Sequence, residues 1–313
     1  MKRIFILVTL LSIISLYQIH AQGCSDAGIC STGALNPSND KDKSNIIDHK
    51  FAITYNGYWQ MYKSQFYDQG AGLTVDYKIS SKSSVQAKTA YSFKSGPITD
   101  TQGMSDVTLS YSYQIISGGK WNLTGVIGGK VPTGKANMTY EGLPLPMIYN
   151  TSLGTYDALF GLALTSKAWH ISLGIQQPLT TLTEHEYDPY YWRNTEYYQH
   201  LLNWFPSSRH LDRKTDISMR LKYAIKTSKW SIAPSVLGIY KPQPGYVESI
   251  EDGNYEVIGS EGLTINGLLE ASYNINTSLT LSAVGAYAIQ QRPLNPDGLQ
   301  RDYVVNFFIK QQF

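Results

Sequence analysis

From His49 to Phe313, apolar and polar residues alternate in runs of strand length. The clearest run sets Val107, Leu109, Tyr111, Tyr113 and Ile115 against Asp106, Thr108, Ser110, Ser112 and Gln114. A two-residue period of this kind assigns a strand with one apolar and one polar face. The same alternation predicts strands at 50–62, 72–80, 84–94, 105–116, 121–131, 154–165, 168–179, 214–226, 230–241, 262–275, 278–290 and 301–313. Turn-forming residues separate them, such as Ser117-Gly118-Gly119-Lys120 and Asn276-Thr277.

The connections alternate in length. Short ones fall near 81, 118, 167, 228 and 276, and long ones at 63–70, 95–104, 132–153, 180–213, 242–261 and 291–300. About twelve strands with short turns at one end and long loops at the other predict an all-β fold, a transmembrane antiparallel up-and-down β-barrel of outer-membrane type. A soluble β-sandwich has no reason to sort its loops this way. Many of the 24 Tyr and 6 Trp fall near predicted strand ends, where amphipathic rings suit a lipid–water boundary. Charges are costly against lipid, so the polar face is assigned to the interior. The lumen candidates on it are Lys78, Lys88, Asp106, Lys130, Asp157, Asp216, Arg220, Lys222 and Glu270. Their mixed signs permit interior ion pairing as well as selectivity.

The last strand places Tyr303, Val305, Phe307, Ile309 and Phe313 on one face and ends on an aromatic residue. It resembles the closing strand of bacterial outer-membrane barrels. That resemblance implies that Tyr303, Phe307, Ile309 and Phe313 form the signal read by the barrel-assembly machinery.

At the other end, a basic start (Lys2, Arg3), an apolar run over 4–16 and the small-residue region around Ala21 predict a signal peptide at 1–22. Residues 23–48 read as a polar periplasmic lead-in that hangs free or enters the pore, and 49–313 as the barrel. Cys24 and Cys30 are read as a disulfide, with lipidation of Cys24 as the alternative. Two thiolates alone make a poor metal site, and no cofactor is expected. Loss of Lys2 and Arg3 takes 26 basic residues to 24, equal to the 24 acids. A neutral mature chain gives no electrostatic case for nucleic acid. The expected partners are outer-membrane lipid and a small-molecule solute, and the expected location is a Gram-negative outer membrane.

One connection carries a family resemblance. Gly128-Gly-Lys-Val-Pro-Thr-Gly-Lys135, followed by Leu153-Gly-Thr-Tyr-Asp157 and Phe160-Gly-Leu162, resembles the K-x-P-T-G-K … G-T-G-S-x-D … G-L hairpin of the MetA-pathway phenol-degradation barrels. Those are distant relatives of the fatty-acid and aromatic-hydrocarbon transporters. Leu153 and Tyr156 depart from the pattern. The resemblance implies passive uptake of small, hydrophobic molecules. From the residues alone, Pro132 ends a strand, Gly134 permits a tight turn and Asp157 is placed to hold an interior lysine.

The longest loop, 180–212, is rich in aromatic residues and is expected to be a lid over the mouth, with a short helix within 194–204. Glu184, His185, Tyr190 and Trp192 are its candidate ligand-contacting residues. Glu184, His185, Glu186 and Asp188 also offer an oxygen-and-nitrogen ligand set of the type that suits a divalent metal. No Ser/His/acid signature surrounds any of the histidines, so an enzyme is not expected. A passive channel or transporter is the leading expectation. A structural or adhesive barrel with a closed lumen is the alternative, and an outer-membrane hydrolase follows it.

Overall fold

The computed structural model describes Leu35 and residues 49–62, 64–182 and 184–313. The expected signal peptide, the rest of the lead-in, and the Cys24–Cys30 pair lie outside the described residues. Twelve antiparallel strands close into one barrel. They are β1 (Phe51–Tyr62), β2 (Phe66–Lys78), β3 (Ser83–Ser95), β4 (Val107–Ile116), β5 (Asn122–Val131) and β6 (Asp157–Thr165). The circuit continues with β7 (Trp169–Pro178), β8 (Asp216–Tyr223), β9 (Trp230–Lys241), β10 (Gly262–Asn274), β11 (Leu279–Gln290) and β12 (Arg301–Gln312). Each pairs with the next in sequence, and β12 pairs with β1, with Tyr55 opposite Ile309. Closure leaves no edge of unpaired backbone groups, which a sheet in hydrocarbon requires.

Two expected loops are strand instead. β2 starts at Phe66, not at 72, and a turn through Gln65 (φ 58°) joins it to β1. The early part of β2 hides its period because Gln69 and Ala71 face outward and Gly70 faces inward. A Cβ on Gly70 would lie 2.1 Å from the Tyr91 carbonyl oxygen and 2.7 Å from the Tyr58 hydroxyl, so only glycine fits. Residues Asp100–Met104 fold back along β3 and lead into β4. Ser105 fills the break between them, its Oγ accepting the Ala90 N–H at 3.0 Å.

The outer face is apolar around the whole circumference. Leu73, Leu109, Ile127, Phe160, Leu173, Met219, Val236, Leu269, Leu281 and Phe307 are all exposed. A water-facing protein does not carry a continuous apolar belt of this extent. Aromatic pairs mark both rims. Trp169 with Tyr223 (4.8 Å between ring centroids), Trp230 with Tyr273 (4.5 Å) and Phe51 with Phe313 (5.9 Å) lie at the short-turn end. Trp59 with Tyr67 (6.1 Å), Tyr91 with Phe93 (5.1 Å) and Tyr287 with Tyr303 (5.4 Å) lie at the long-loop end. Such girdles bound the hydrocarbon-spanning band of a transmembrane barrel.

The long loops form a second hydrophobic core. Phe66, Ile98, Leu145, Met147, Ile148, Tyr149, Leu182, Tyr187, Trp192, Leu201, Phe205, Leu211, Val247, Val257 and Leu299 are buried together. They come from nearly every long connection. The expected helix is Tyr198–Trp204, and residues Gly245–Ser249 and Gly253–Val257 pair as a hairpin. The loops are therefore a packed cap and not independent flaps.

Candidate functional site

The inner wall and its cover are the candidate site. Pleat alternation sends Ser110, Ser112, Ser172, Ser218, Ser235 and Ser272 inward, all buried. Thr108 Oγ1, Ser110 Oγ, Ser92 Oγ, Ser231 Oγ and Asn266 Nδ2 have no protein hydrogen-bond partner. Buried polar atoms normally have a partner, so this inner wall keeps hydrogen-bonding capacity that the protein itself does not use.

A belt of ion pairs crosses the long-loop end of the lumen. Lys130 Nζ lies 3.0 Å from Asp106 Oδ2 and 3.3 Å from Asp157 Oδ2. Asp157 also faces Arg213 Nη1 at 3.5 Å and accepts hydrogen bonds from Thr155 Oγ1 (2.6 Å) and Gln176 Nε2 (2.5 Å). Arg213 reaches Asp216 at 3.8 Å, and Arg292 reaches it from another loop at 3.9 Å. The two halves of the K-x-P-T-G-K-like motif thus meet through Lys130 and Asp157, which are also register partners on β5 and β6. Gly134 sits where a Cβ would come 2.5 Å from the Met104 carbonyl oxygen, and Gly154 adopts φ +69°. These glycines are required by the close approach of the rim and by the turn.

Deeper in the lumen, Lys222 Nζ pairs with Glu270 Oε2 at 3.3 Å, and Arg220 Nε donates to Ser235 Oγ at 3.2 Å. Lys78 and Lys88 are half-buried on the inner face near and above the short turns. The period therefore brings Asp106, Lys130, Asp157 and Asp216 into one cluster, and Arg220, Lys222 and Glu270 into a lower one. It gives no sign of Arg213 and Arg292, which enter from loops where no period operates. A strand lysine acts at the same end of the lumen, Lys94. From the inner face of β3 its Nζ donates to the carbonyls of Ile148 (3.0 Å) and Asn150 (2.7 Å). It ties the turn Met147–Tyr149 over the mouth.

The 180–212 loop is locked into this cover. Trp192 Nε1 donates to the Pro144 carbonyl at 2.8 Å, and Asp188 accepts from the backbone N–H groups of Tyr190 (2.9 Å) and Ile250 (3.2 Å). Its candidate ligand residues diverge. Trp192 and His185 are core residues, Glu184 is exposed, and Tyr190 lies under the Arg193 guanidinium at 4.0 Å. No group of three or more metal-ligating side chains exists among the described residues. His185 Nδ1 donates to the Ala136 carbonyl at 3.1 Å, and its Nε2 accepts from Ser208 Oγ at 2.9 Å. Burial holds this imidazole neutral, pushing its pKa down to about 4. Near the cap surface, His210 is clamped between two carboxylates. Its Nδ1 donates to Glu248 Oε2 (2.6 Å) and its Nε2 to Glu186 Oε1 (2.8 Å). Two carboxylates can only accept, so the ring carries both protons, and its pKa is raised.

The outward residues of β12, Tyr303, Phe307 and Ile309, are exposed, as is Phe313.

No family model and no curated protein matches the chain. Among solved structures, an outer membrane channel from Pseudomonas putida F1 matches with a TM-score of 0.58 at 12% identity, over 87% of this chain and 98% of that one. The NanC porin matches at 0.47 and 11% identity, over 83% and 100%. The first of these is a likeness of fold.

Proposed function

We propose that this protein is a passive outer-membrane channel for small solutes, hydrophobic ones among them, with the loop cap closing its outer mouth and 180–212 as the lid. The observation that carries the reading is the inversion of the barrel. Its outer face is apolar between two aromatic girdles, and its inner wall holds charges and unpartnered hydroxyls. In this reading the short turns face the periplasm, and Tyr303, Phe307 and Ile309 of β12 with the following Phe313 form the assembly signal. The K-x-P-T-G-K-like motif and an apolar strip on the inner wall, Val126, Leu159, Ala163, Leu237 and Ile239, support membership of the phenol-degradation type of barrel and solutes with apolar parts.

The test is single-channel recording of the refolded mature chain in a planar bilayer. Discrete current steps are expected. A correctly folded but silent barrel would overturn the channel and favour a structural one, the class that a closed cap also suits.

Charge at the belt gives a second check. Asp157→Asn removes the acid shared by Lys130 and Arg213, leaving Asp106 and Asp216 to face two buried cations. Breaking a buried pair on one side costs about 3–5 kcal/mol, so the variant should unfold at lower denaturant. Its reversal potential in a KCl gradient should shift toward chloride. An unshifted potential would place the permeation path away from Asp157.

A further inference from the structure

The two ends of the barrel carry opposite charge. The long connections, 63–65, 96–106, 132–156, 179–215, 242–261 and 291–300, hold 14 acidic and 7 basic residues. The short connections after β2, β4, β6, β8 and β10 hold Lys82, Lys120, Lys167, Lys226 and Lys229 and no acid. Solubility alone asks for mixed signs at each end, so this sorting needs another reason. Lys82, Lys120, Lys167 and Lys229 make no side-chain hydrogen bond or ion pair among the described residues. Lys82, Lys120 and Lys229 are exposed, and Lys167 is half-buried.

The turns that carry them are rigid and built alike. The Ser166 N–H donates to the Trp169 carbonyl at 2.8 Å, and the Ser166 Oγ accepts the Trp169 N–H at 3.1 Å. Thr227 makes the same two bonds to Trp230, at 2.7 and 3.0 Å. Ser80 makes them to Ser83, both at 3.1 Å. Lys167, Lys229 and Lys82 are central residues of these closed turns, so their side chains start beyond the last pair of the sheet. Three of the four lysines also stand one or two residues before a tryptophan, Trp121, Trp169 or Trp230. Trp169 and Trp230 are exposed on the outer face, in the girdle of the short-turn end. Indole rings settle at the lipid–water boundary. A lysine that directly adjoins one is therefore held at the depth of the lipid phosphates, with its apolar stem along the boundary and its ammonium in the headgroups.

We propose that these four lysines form a collar that binds the phosphates of anionic glycerophospholipids at the short-turn face of the membrane. The spread of the charges favours a lipid surface over one bound molecule. From the β2–β3 turn to the β8–β9 turn the wall runs through six strand spacings, about 30 Å. No single small anion can touch both Lys82 and Lys229, whereas a row of headgroups meets each lysine in turn. The row has a gap at the β10–β11 turn, where Asn276-Thr277-Ser278 offers no cation. The collar rests on the chain spanning a bilayer and not on its conducting.

Lipid selectivity measured by electron spin resonance tests it. The mature chain is refolded into phosphatidylcholine vesicles that carry a trace of spin-labelled phosphatidylglycerol or, in parallel, spin-labelled phosphatidylcholine. The motionally restricted component reports lipid held at the barrel surface. The native chain should hold the phosphatidylglycerol label several-fold more strongly than the phosphatidylcholine label. Combined Lys82→Gln, Lys120→Gln, Lys167→Gln and Lys229→Gln should bring that ratio down toward one, and the four matching arginine substitutions should keep it. In 1 M KCl, where the screening length is about 3 Å, the native ratio should fall as well. Heat-modifiable migration shows that each variant is folded, and Lys167→Gln and Lys229→Gln alone, each lowering the ratio part of the way, carry the test should the combined variant not assemble. A folded glutamine variant with the native ratio would overturn the collar. A native ratio of one would overturn it too, and would turn attention to an acidic protein as the partner of these turns.

Discussion

Excision of residues 184–206, with the ends joined by a short Gly–Ser linker, is expected to raise single-channel conductance several-fold. The segment contributes Tyr187, Trp192, Leu201 and Phe205 to the cap core, each at most 3% exposed. It also holds the Asp188 side chain that bonds the backbone at Ile250, and the indole that bonds the Pro144 carbonyl. The cover is therefore cohesive, and thermal motion alone will not swing it aside. Replacing one buried large aromatic by alanine costs about 3–5 kcal/mol, so Trp192→Ala should loosen the cap short of removing it. Its conductance should fall between native and excised. The barrel is expected to survive both changes, because β7 and β8 are joined by their own register from Trp169–Tyr223 to Gln176–Asp216. Heat-modifiable migration of the folded barrel checks that point. A folded excision variant with native conductance would show that this segment is not the gate.

How far the sequence reached depends on which force places each residue. Along β4 the period is set by lipid on one side and lumen on the other, so Leu109 and Ser110 could be assigned to faces without coordinates. The same rule failed at 66–71, where the residues between Tyr67 and Leu73 carry no apolar signal outward and Gly70 answers to Tyr58. In the cap the rule has nothing to act on. Tyr149, Trp192 and Val257 pack in a three-dimensional core assembled from loops of no common period. The aromatic content of 180–212 marked a loop with much to bury, but not the partners it packs against. His185 illustrates this, since a surface ligand was expected where the fold needed a buried donor to Ala136. The belt divides in the same way. Strand residues Lys130 and Asp157 were legible as an interior pair, whereas Arg213 and Arg292 arrive from connections.

Acidification is expected to loosen the cap between about pH 6.5 and pH 4, through His185. Its pKa falls from the ordinary 6.5 to about 4 because burial penalises the imidazolium. The unfolded or detached loop takes up a proton below 6.5, and the packed loop does not until about 4. Stability is therefore fully present above pH 6.5 and is lost as pH falls through that window, by about 3 kcal/mol in all at 1.36 kcal/mol per unit. His210 works in the opposite sense. Its pKa is raised by the hydrogen bonds to Glu248 and Glu186, against its partial burial. Its contribution is complete below about pH 6.5 and fades as pH rises through the raised value. The Glu186 carboxyl is held below the usual range by His210 and Arg209, so it stays ionised while the clasp needs it. The cap should accordingly be tightest near neutrality and open on both sides, with the acid limb the larger because His185 is in the core. Limited proteolysis of the 184–206 segment, run alongside open probability across pH, reads both limbs. His185→Gln keeps a neutral side chain at the site and should flatten the acid limb, leaving the alkaline one in place. His210→Gln should do the reverse. If His185→Gln opens in acid as the native protein does, the proton that loosens the cap is taken up elsewhere, and the carboxylates of the ion-pair belt become the next groups to replace.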